Sequence, residues 1–510
     1  MSGMDGAGTP QVAVVGGGLA GVAAALDAAD AGASVVLLER RKALGGLTWS
    51  FERRGRRFDN GQHVFLRCCD AYREFLDRIG AAGDVVLQDR LSVPVLAPGG
   101  RQATIGRSGL PAPLHLAGAV ARYRHLSVGD RLRLGPAVAA LRRLDPADPR
   151  LDDMTFGEWL ARHHQSPRSI AVLWDLIILP TVNVPAAQAS LAMAVKVFRT
   201  GLLDTASGGD IGWAAVPLGD LHGRRAAAAL EAAGVTVHTG VQVTAIDPTR
   251  GGGWSIAGGE PLGRLTAEAV VLATPPAVAA ALAPPRSLPE VDRLGHSPVV
   301  DVQLVLDRRV TDLTFLAAVD SPIQFVFDRT AVTGLSGDRG QCLALSLSGA
   351  DAYVGVRPET LVTDFMGHLR SLLPAAAQAQ VVDAVVTKEQ AATFRAVPGT
   401  AALRPVPGLV AESMAVAGAW CATGWPATME GAIRSGRQAA QAVLGLAGSV
   451  PTAGASGAAG VTAEAGVTAE AGVTGAAGGA GGAGAGTTQI DPTIGGAAQR
   501  QAVPTAQEVQ

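Results

Sequence analysis

An unbroken apolar run, Val12 to Val15, predicts a strand buried on both faces. The alanine-rich stretch from Leu19 to Ala31 predicts a helix, and VVLLE, ending at Glu39, predicts a second buried strand. Further along, GVTVHTGVQVTAI from Gly234 to Ile246 has the look of a hairpin, and AVVLATPP from Ala269 to Pro276 that of a strand stopped by proline. Between about 76 and 212, leucine, alanine and arginine recur at helical spacing, as in VARYRHLSVGDRLRLGPAVAALRRL, while SPVVDVQLVLD and SPIQFVFDRT predict sheet strands. From about Ala447 the composition collapses to Ala, Gly, Thr and Val, with a GVTAEA hexad at Gly460 and again at Gly466 and no aromatic residue. A disordered tail is expected over 447–510.

Composition narrows the function classes. At 510 residues with 48% hydrophobic positions, the chain can build two domains around a large core. A net charge of −2 gives no case for a nucleic-acid partner. Cys68, Cys69, Cys342 and Cys421 lack any C-x-x-C spacing, so reduced thiols, no metal site and a cytoplasmic location are expected. The stretch MSGMDGAGTP has neither a basic nor an apolar region, so no secretion signal is expected. The longest apolar stretch, IAVLWDLIILPTVNVP, is broken by Asp175, Asn183 and two prolines and is not expected to span a bilayer.

The chemistry lies in the glycines between the first strand and helix. Gly16, Gly18 and Gly21 form G-x-G-x-x-G: a tight turn, a close backbone approach to a pyrophosphate, and close helix–strand packing. The amides around Leu19 and Ala20 then face the phosphates at the helix N-terminus. Glu39 follows Gly21 by 18 residues, where a carboxylate can accept from ribose hydroxyls, with Arg40 beside it. Strand, glycine loop, helix, strand and acid together predict a dinucleotide site.

A second glycine pair, Gly45 and Gly46, followed by Leu47, resembles the large FAD-dependent oxidoreductase families that include amine oxidases and carotenoid desaturases. The resemblance implies an α/β fold: a Rossmann-like FAD-binding domain over 1–75, 213–285 and 385–446, with a discontinuous α+β substrate domain over 76–212 and 286–384. It implies that Val243 passes beside the adenine and that the Thr274 turn returns the chain to the cofactor. In MAVAGAWCATGWPATMEGAIRSG, it places the backbone of Thr428 and Met429 at the flavin carbonyl side. The family usually has an acid after A-G, and Ala419 stands there instead. One lost hydrogen bond, about 1–3 kcal/mol, weakens cofactor binding without abolishing it.

DNGQHVFL, Asp59 to Leu66, with LWDLIILPTVNVP, SPIQFVFDRT and TGWPATMEGAIRSG, resembles the hydroxysqualene dehydroxylases of bacterial hopanoid biosynthesis over about Val12 to Leu444. The resemblance implies reduction of hydroxysqualene to squalene, with Gly61, Gln62 and His63 at the flavin's reactive face and the other hopanoid enzymes as possible partners. His63 is the first candidate for a general acid, its alternative role being to shape the flavin pocket. Asp175, in apolar surroundings, is the second, its alternative being a helix cap or an arginine pair. Trp174, Phe198, Trp213, Phe325, Phe327, Trp420 and Trp425 are candidate tunnel walls or core, and Asn183 a candidate substrate contact. An isoprenoid of about thirty carbons dissolves in lipid, so peripheral docking on the inner membrane face is expected. The competing readings are a carotenoid desaturase, a flavin amine oxidase using Lys196 or Lys388, and a non-catalytic prenyl-lipid-binding protein.

Overall fold

The structure, a computed structural model, describes residues 11–445 apart from 260–261, 289 and 338–339. The expected tail over 447–510 and both hexads lie outside the described residues. Continuous apolar runs form the centre of a six-stranded sheet because each is covered on both faces. In spatial order its strands are Thr236–Thr239, Val35–Glu39, Val12–Val15, Ala269–Leu272, Met414–Val416 and Gly408–Ala411. The first five run parallel and the last antiparallel. Four separated stretches of chain thus meet in one α/β layer.

Helix Leu19–Asp30 packs between this sheet and the C-terminal helix Met429–Val443. The two helices touch backbone to backbone. A methyl group on Gly436 would lie 2.1 Å from the Ala20 carbonyl oxygen, so only glycine permits this approach.

The stretch 234–246 is not a hairpin. Thr236–Thr239 pairs in parallel with Val35–Glu39, whereas Val243–Pro248 joins Trp254–Gly258 and Arg264–Ala267 in a separate antiparallel sheet. The amides of Gly240 and Val241 donate to the carbonyls of Arg41 and Glu39, so the turn closes on the neighbouring strand instead of on itself.

A seven-stranded sheet runs Val381–Thr393, Ser297–Leu306, Gln341–Ser348, Phe325–Asp328, Phe315–Ala318, Ser92–Ala97 and Arg101–Gly106. The two last strands come from the region expected to be helical, which also supplies helices such as Val128–Arg143, Asp175–Val182 and Leu191–Phe198. Along Ser297–Leu306, Val300, Val302, Leu304 and Leu306 pack with Leu361, Phe365 and Leu369 of helix Pro358–Leu372. The alternate face carries Val299, Asp301, Gln303 and Val305. Strand Val381–Thr393 pairs along its length with Ser297–Leu306, so this sheet continues through position 385, where a domain boundary was expected.

Candidate active site

The glycine loop has the conformation that its spacing predicts. Gly16 adopts φ +110°, and a methyl group on Gly21 would stand 1.9 Å from the Gly16 carbonyl oxygen. Gly18 forms the N-cap of helix Leu19–Asp30 without a side-chain cap and with no acid in the first turn. The leading amides, including those of Leu19 and Ala20, therefore suit an anion. Gly46, at φ +58°, meets Gly18 so closely that a methyl on it would lie 2.9 Å from the Gly18 Cα.

Glu39 is buried at the strand end and accepts from the Gly17 amide at 2.6 Å and the Arg41 amide at 2.7 Å. A carboxylate has about four acceptor sites, so two remain for ribose hydroxyls. Arg40 is exposed, and it is Arg41 that turns inward. The Arg41 guanidinium donates to the Gly46 carbonyl at 2.8 Å and lies 5.4 Å from the Trp49 ring centre. Leu47 is 41% exposed, presenting backbone rather than a packed side chain.

The Asp59–His63 segment is held by a buried ion pair. Arg329 Nη2 lies 2.9 Å from Asp59 Oδ2, and its Nη1 donates to the Ala214 carbonyl at 2.9 Å. The other Asp59 oxygen accepts from the Ser50 hydroxyl at 2.6 Å and the Leu218 amide at 2.9 Å. His63 Nδ1 lies 3.2 Å from the Gly61 carbonyl oxygen. That contact needs a proton on Nδ1, which leaves the Nε2 lone pair free. Burial lowers the His63 pKa, with Arg329 adding to the fall and the Gly61 carbonyl and Asp59 opposing it. His63 is thus a neutral acceptor near pH 7, not the proton donor expected of it. A small cavity beside it is lined by Gln62, His63, Val64, Trp213, Leu218 and Phe327.

Other expected residues divide between this cavity and the core. Trp213 and Phe327 line the cavity, and behind them Phe325 stacks on Phe327 at 6.1 Å, Phe327 on Phe315 at 6.0 Å, and Trp213 meets Phe315 edge-on at 5.5 Å. Trp174 and Phe198 instead pack with Phe156 in a separate aromatic cluster, and Trp174 Nε1 donates to Gln165. Two cations already lie over Trp425: Lys196 Nζ at 4.5 Å and Arg434 at 5.2 Å. Desolvation lowers the Lys196 pKa, and Arg434 adds to that. Lys388 donates to the carbonyls of Val354 and Val356.

Asp175 accepts from the Ala186 amide at 2.6 Å, tying down the loop after its helix, and burial raises its pKa. Asn183 ends that helix at φ +57° and donates to Thr393 Oγ1 at 3.2 Å. Val243 is half-buried at the start of the separate antiparallel sheet. Thr428 caps the C-terminal helix, its hydroxyl accepting from the Gly431 amide at 3.2 Å, and Met429 opens the first turn. Ala419 is half-buried next to Gly418, whose amide donates to Ser435 Oγ at 2.8 Å.

Three buried polar residues that tie the site's elements together escaped sequence reasoning. Arg404, buried in the core, donates to the carbonyls of Trp420, Cys421 and Trp425, and desolvation takes its pKa down to about 10. Glu430 accepts from the amides of Ala71 and Tyr72, capping helix Asp70–Arg78 from the C-terminal helix. His222 shares a 2.7 Å hydrogen bond with the Tyr72 hydroxyl, and burial pushes its pKa down to about 3. The sequence signal for Arg404 and Glu430 is a lone charged residue inside a stretch of apolar and small residues, whereas His222, among Asp220, Arg224 and Arg225, carries none.

The residues fit a flavin dinucleotide. Buried Trp49 Nε1, Gln62 Nε2 and Thr274 Oγ1 have no partner within the protein, and all three belong to segments around the glycine loops and the His63 cavity. Donors and a hydroxyl of this kind suit the polar edge of an isoalloxazine. All four cysteines are free, and no cluster of metal-ligating side chains occurs among the described residues.

Comparison with known proteins agrees with this geometry. The family model for flavin containing amine oxidoreductases matches residues 19–444. A hydroxysqualene dehydroxylase of Rhodopseudomonas palustris is 28% identical over 451 residues, covering 85% of this chain and 98% of that protein. A zeta-carotene desaturase of Synechocystis sp. is 26% identical, covering 87% of this chain and 99% of that protein. Among solved structures, a double mutant of putrescine oxidase superposes with a TM-score of 0.64 at 19% identity over 86% of this chain and 99% of that one.

Proposed function

On the premise that this chain belongs to the flavin containing amine oxidoreductase family, we propose that it is the FAD-dependent enzyme that removes the hydroxyl of hydroxysqualene to give squalene. The single observation that carries the substrate class is the apolar part of the wall beside His63, formed by Val64, Trp213, Leu218 and Phe327. Asp59 and Arg329, the charged groups at this cavity, neutralise one another. Apolar side chains of this kind suit a hydrocarbon. Similarity to hydroxysqualene dehydroxylases over nearly their full length supports the finer reading.

Reduced FAD bound across the glycine loops would supply hydride to the carbinol carbon, the hydroxyl leaving as water with a proton from solvent, and an external two-electron reductant would reload the flavin. The Gly16–Gly21 turn and the first amides of helix Leu19–Asp30 hold the pyrophosphate, and Glu39 the ribose. His63, its Nε2 open, would orient the substrate hydroxyl while that oxygen's lone pair takes the proton with which it leaves as water. The aromatic wall excludes water and offers π faces to positive charge developing on the allylic carbon. Asp175, tied to Ala186, supports the loop around Asn183.

A lipid-borne substrate has to be collected from a bilayer. No helix among the described residues is long and apolar enough to cross a membrane. Leu110, Leu114, Val128 and Leu132 are 52–74% exposed, and Arg122, Arg124 and Arg133 are exposed among them. We assign peripheral docking to this surface.

The second reading is a carotenoid desaturase, favoured by the similarity to zeta-carotene desaturases. Anaerobic, photoreduced enzyme separates the two. Hydroxysqualene is expected to reoxidise the flavin with formation of squalene. Flavin that stays reduced with hydroxysqualene, in an enzyme whose oxidised form is reduced by phytoene, overturns the dehydroxylase reading.

A further inference from the structure

Asp301 lies at the centre of strand Ser297–Leu306 and is 1% exposed. Neither of its carboxyl oxygens completes a hydrogen bond. A bare polar group in an interior is costly, and it persists where it serves something. Asp301 belongs to a polar stripe under the Asp59–His63 segment. Gln303 donates to the Asp59 carbonyl at 2.8 Å, and Thr387, opposite Asp301 in the ladder, donates to the Asn60 carbonyl at 2.7 Å. The next residue, Gly61, falls on Asp301 itself. A methyl group on Gly61 would lie 3.2 Å from Asp301 Oδ2 and 3.8 Å from His63 Cε1. The acid and the imidazole thus both border the space that a Gly61 side chain would fill, and glycine leaves nothing there to shield one from the other.

We propose that Asp301 is a positioning residue of this site, seating the Gly61–His63 turn from beneath and, through that turn, controlling how the His63 ring is presented. Burial pushes its carboxyl up to about 7, with Asp59 adding to the rise, while the Ser346 hydroxyl and the Gln62 backbone N–H, close by but short of complete hydrogen bonds, pull it down. The groups facing it are Asp59 and His63 on the turn, Arg329 paired with Asp59, Glu389 two positions from Thr387 on the adjacent strand, and uncharged Ser346 on the other. Neutral, the carboxyl packs under Gly61 without a charge to solvate. Ionised, it calls for donors, and those beside it are the Ser346 hydroxyl and the Gln62 backbone N–H of the turn, so the turn changes its seating above about pH 7. The consequence for turnover rests on the function proposed above, whereas the seating itself does not.

Histidine labelled with ¹³C at Cε1 in the full-length chain reports the seating, with and without FAD, between about pH 5 and 9. The His63 resonance, identified by its loss in His63→Gln, is expected to inflect near pH 7 by less than imidazole protonation produces. Asp301→Asn should hold the low-pH position throughout, and Asp301→Glu should restore an inflection at a displaced pH. Between about pH 4 and 7 the native carboxyl keeps a proton that the unfolded chain releases, so wild-type stability falls as pH rises and the Asn variant gains on it. In the loaded enzyme, kcat for the wild type should change across pH 7 while that of Asp301→Asn stays flat, with KM alike in both. An inflection retained in Asp301→Asn, or kcat profiles that coincide, overturns the proposal. Should that variant not fold, Gly61→Ala, which crowds Oδ2, is expected to move the wild-type midpoint, and an unmoved midpoint overturns it equally. Absence of hydroxysqualene turnover in the wild type counts against the substrate alone, because the resonance arm needs none.

Discussion

The ion pair between Asp59 and Arg329 does more for the site than either candidate acid, because it fixes the segment that presents His63. With side chains 2% and 8% exposed, neither charge can recover solvent if its partner is removed. Arg329→Met is therefore expected to cost about 3–5 kcal/mol, read as a lower urea midpoint at unchanged slope. Asp59→Asn should cost as much, and the double variant less than the sum. His222 sets the acid limit. Its folded pKa of about 3 lies below the unfolded value, so the unfolded chain takes up a proton first as pH falls. The neutral ring's contribution is complete above about pH 6.5 and is lost progressively down to about pH 3. His222→Gln, which still offers the Tyr72 hydroxyl an acceptor, should flatten stability across that window; a variant with the wild-type slope would remove His222 as the cause. At this scale the sequence was legible where backbone geometry dictates the residue. Gly16, Gly18 and Gly21 could be placed because a methyl group at Gly16 or Gly21 collides with backbone. Which of Arg40 and Arg41 turns inward was not legible, since a strand end has no alternation beyond it to settle the face.

Two helices and two turns carry the cofactor site, and their closest contact is Gly436 against Ala20. Gly436→Ala puts a methyl group 2.1 Å from a carbonyl oxygen that belongs to the phosphate-facing helix. The helices must separate, at an expected cost of about 1–3 kcal/mol. If, as proposed, the displaced helix supplies the pyrophosphate amides, the variant should also release FAD more readily. Fluorescence of the freed flavin during dilution measures this, and unchanged retention in a destabilised protein would show that the two helices are not coupled. Elements were legible to the degree that one pattern excludes another. Apolar runs bounded by glycine or proline gave the central parallel strands. The stretch 234–246 misled because two short β-patterned segments around Gly240 fit a hairpin as well as two edge strands, and only the hydrogen bonds to Glu39 and Arg41 decide. Strand Ser297–Leu306 was foreseen, yet its register against the Asp59–His63 segment depends on contacts far apart in sequence.

For the whole molecule the proposed function raises the question of how an oily substrate would leave a bilayer, and docking through the exposed side of helix Val128–Arg143 is a testable answer. That helix has the inverse of a core pattern on its outer side: Leu134, Ala137 and Leu141 face inward, while Val128 and Leu132 remain 66% and 74% exposed. Between Leu110 and Arg143 the chain has six arginines and a single acid, Asp130, which is buried and bonded to Ser127 and Ser166. An apolar ridge set among cations matches the boundary between acyl chains and anionic headgroups. Each exposed aliphatic side chain that enters lipid contributes about 1.5 kcal/mol, so Val128→Asp with Leu132→Asp should lower partitioning onto vesicles by roughly a hundredfold. Flotation with vesicles of mixed neutral and anionic phospholipid measures this directly. Since both side chains face solvent, the double variant should keep its melting temperature, its flavin and its turnover of detergent-dispersed substrate, while losing turnover of substrate held in vesicles. A double variant that floats like the wild type, or a wild type that stays in the aqueous fraction at low and high salt, would remove this ridge as the docking surface and require another route into the cavity.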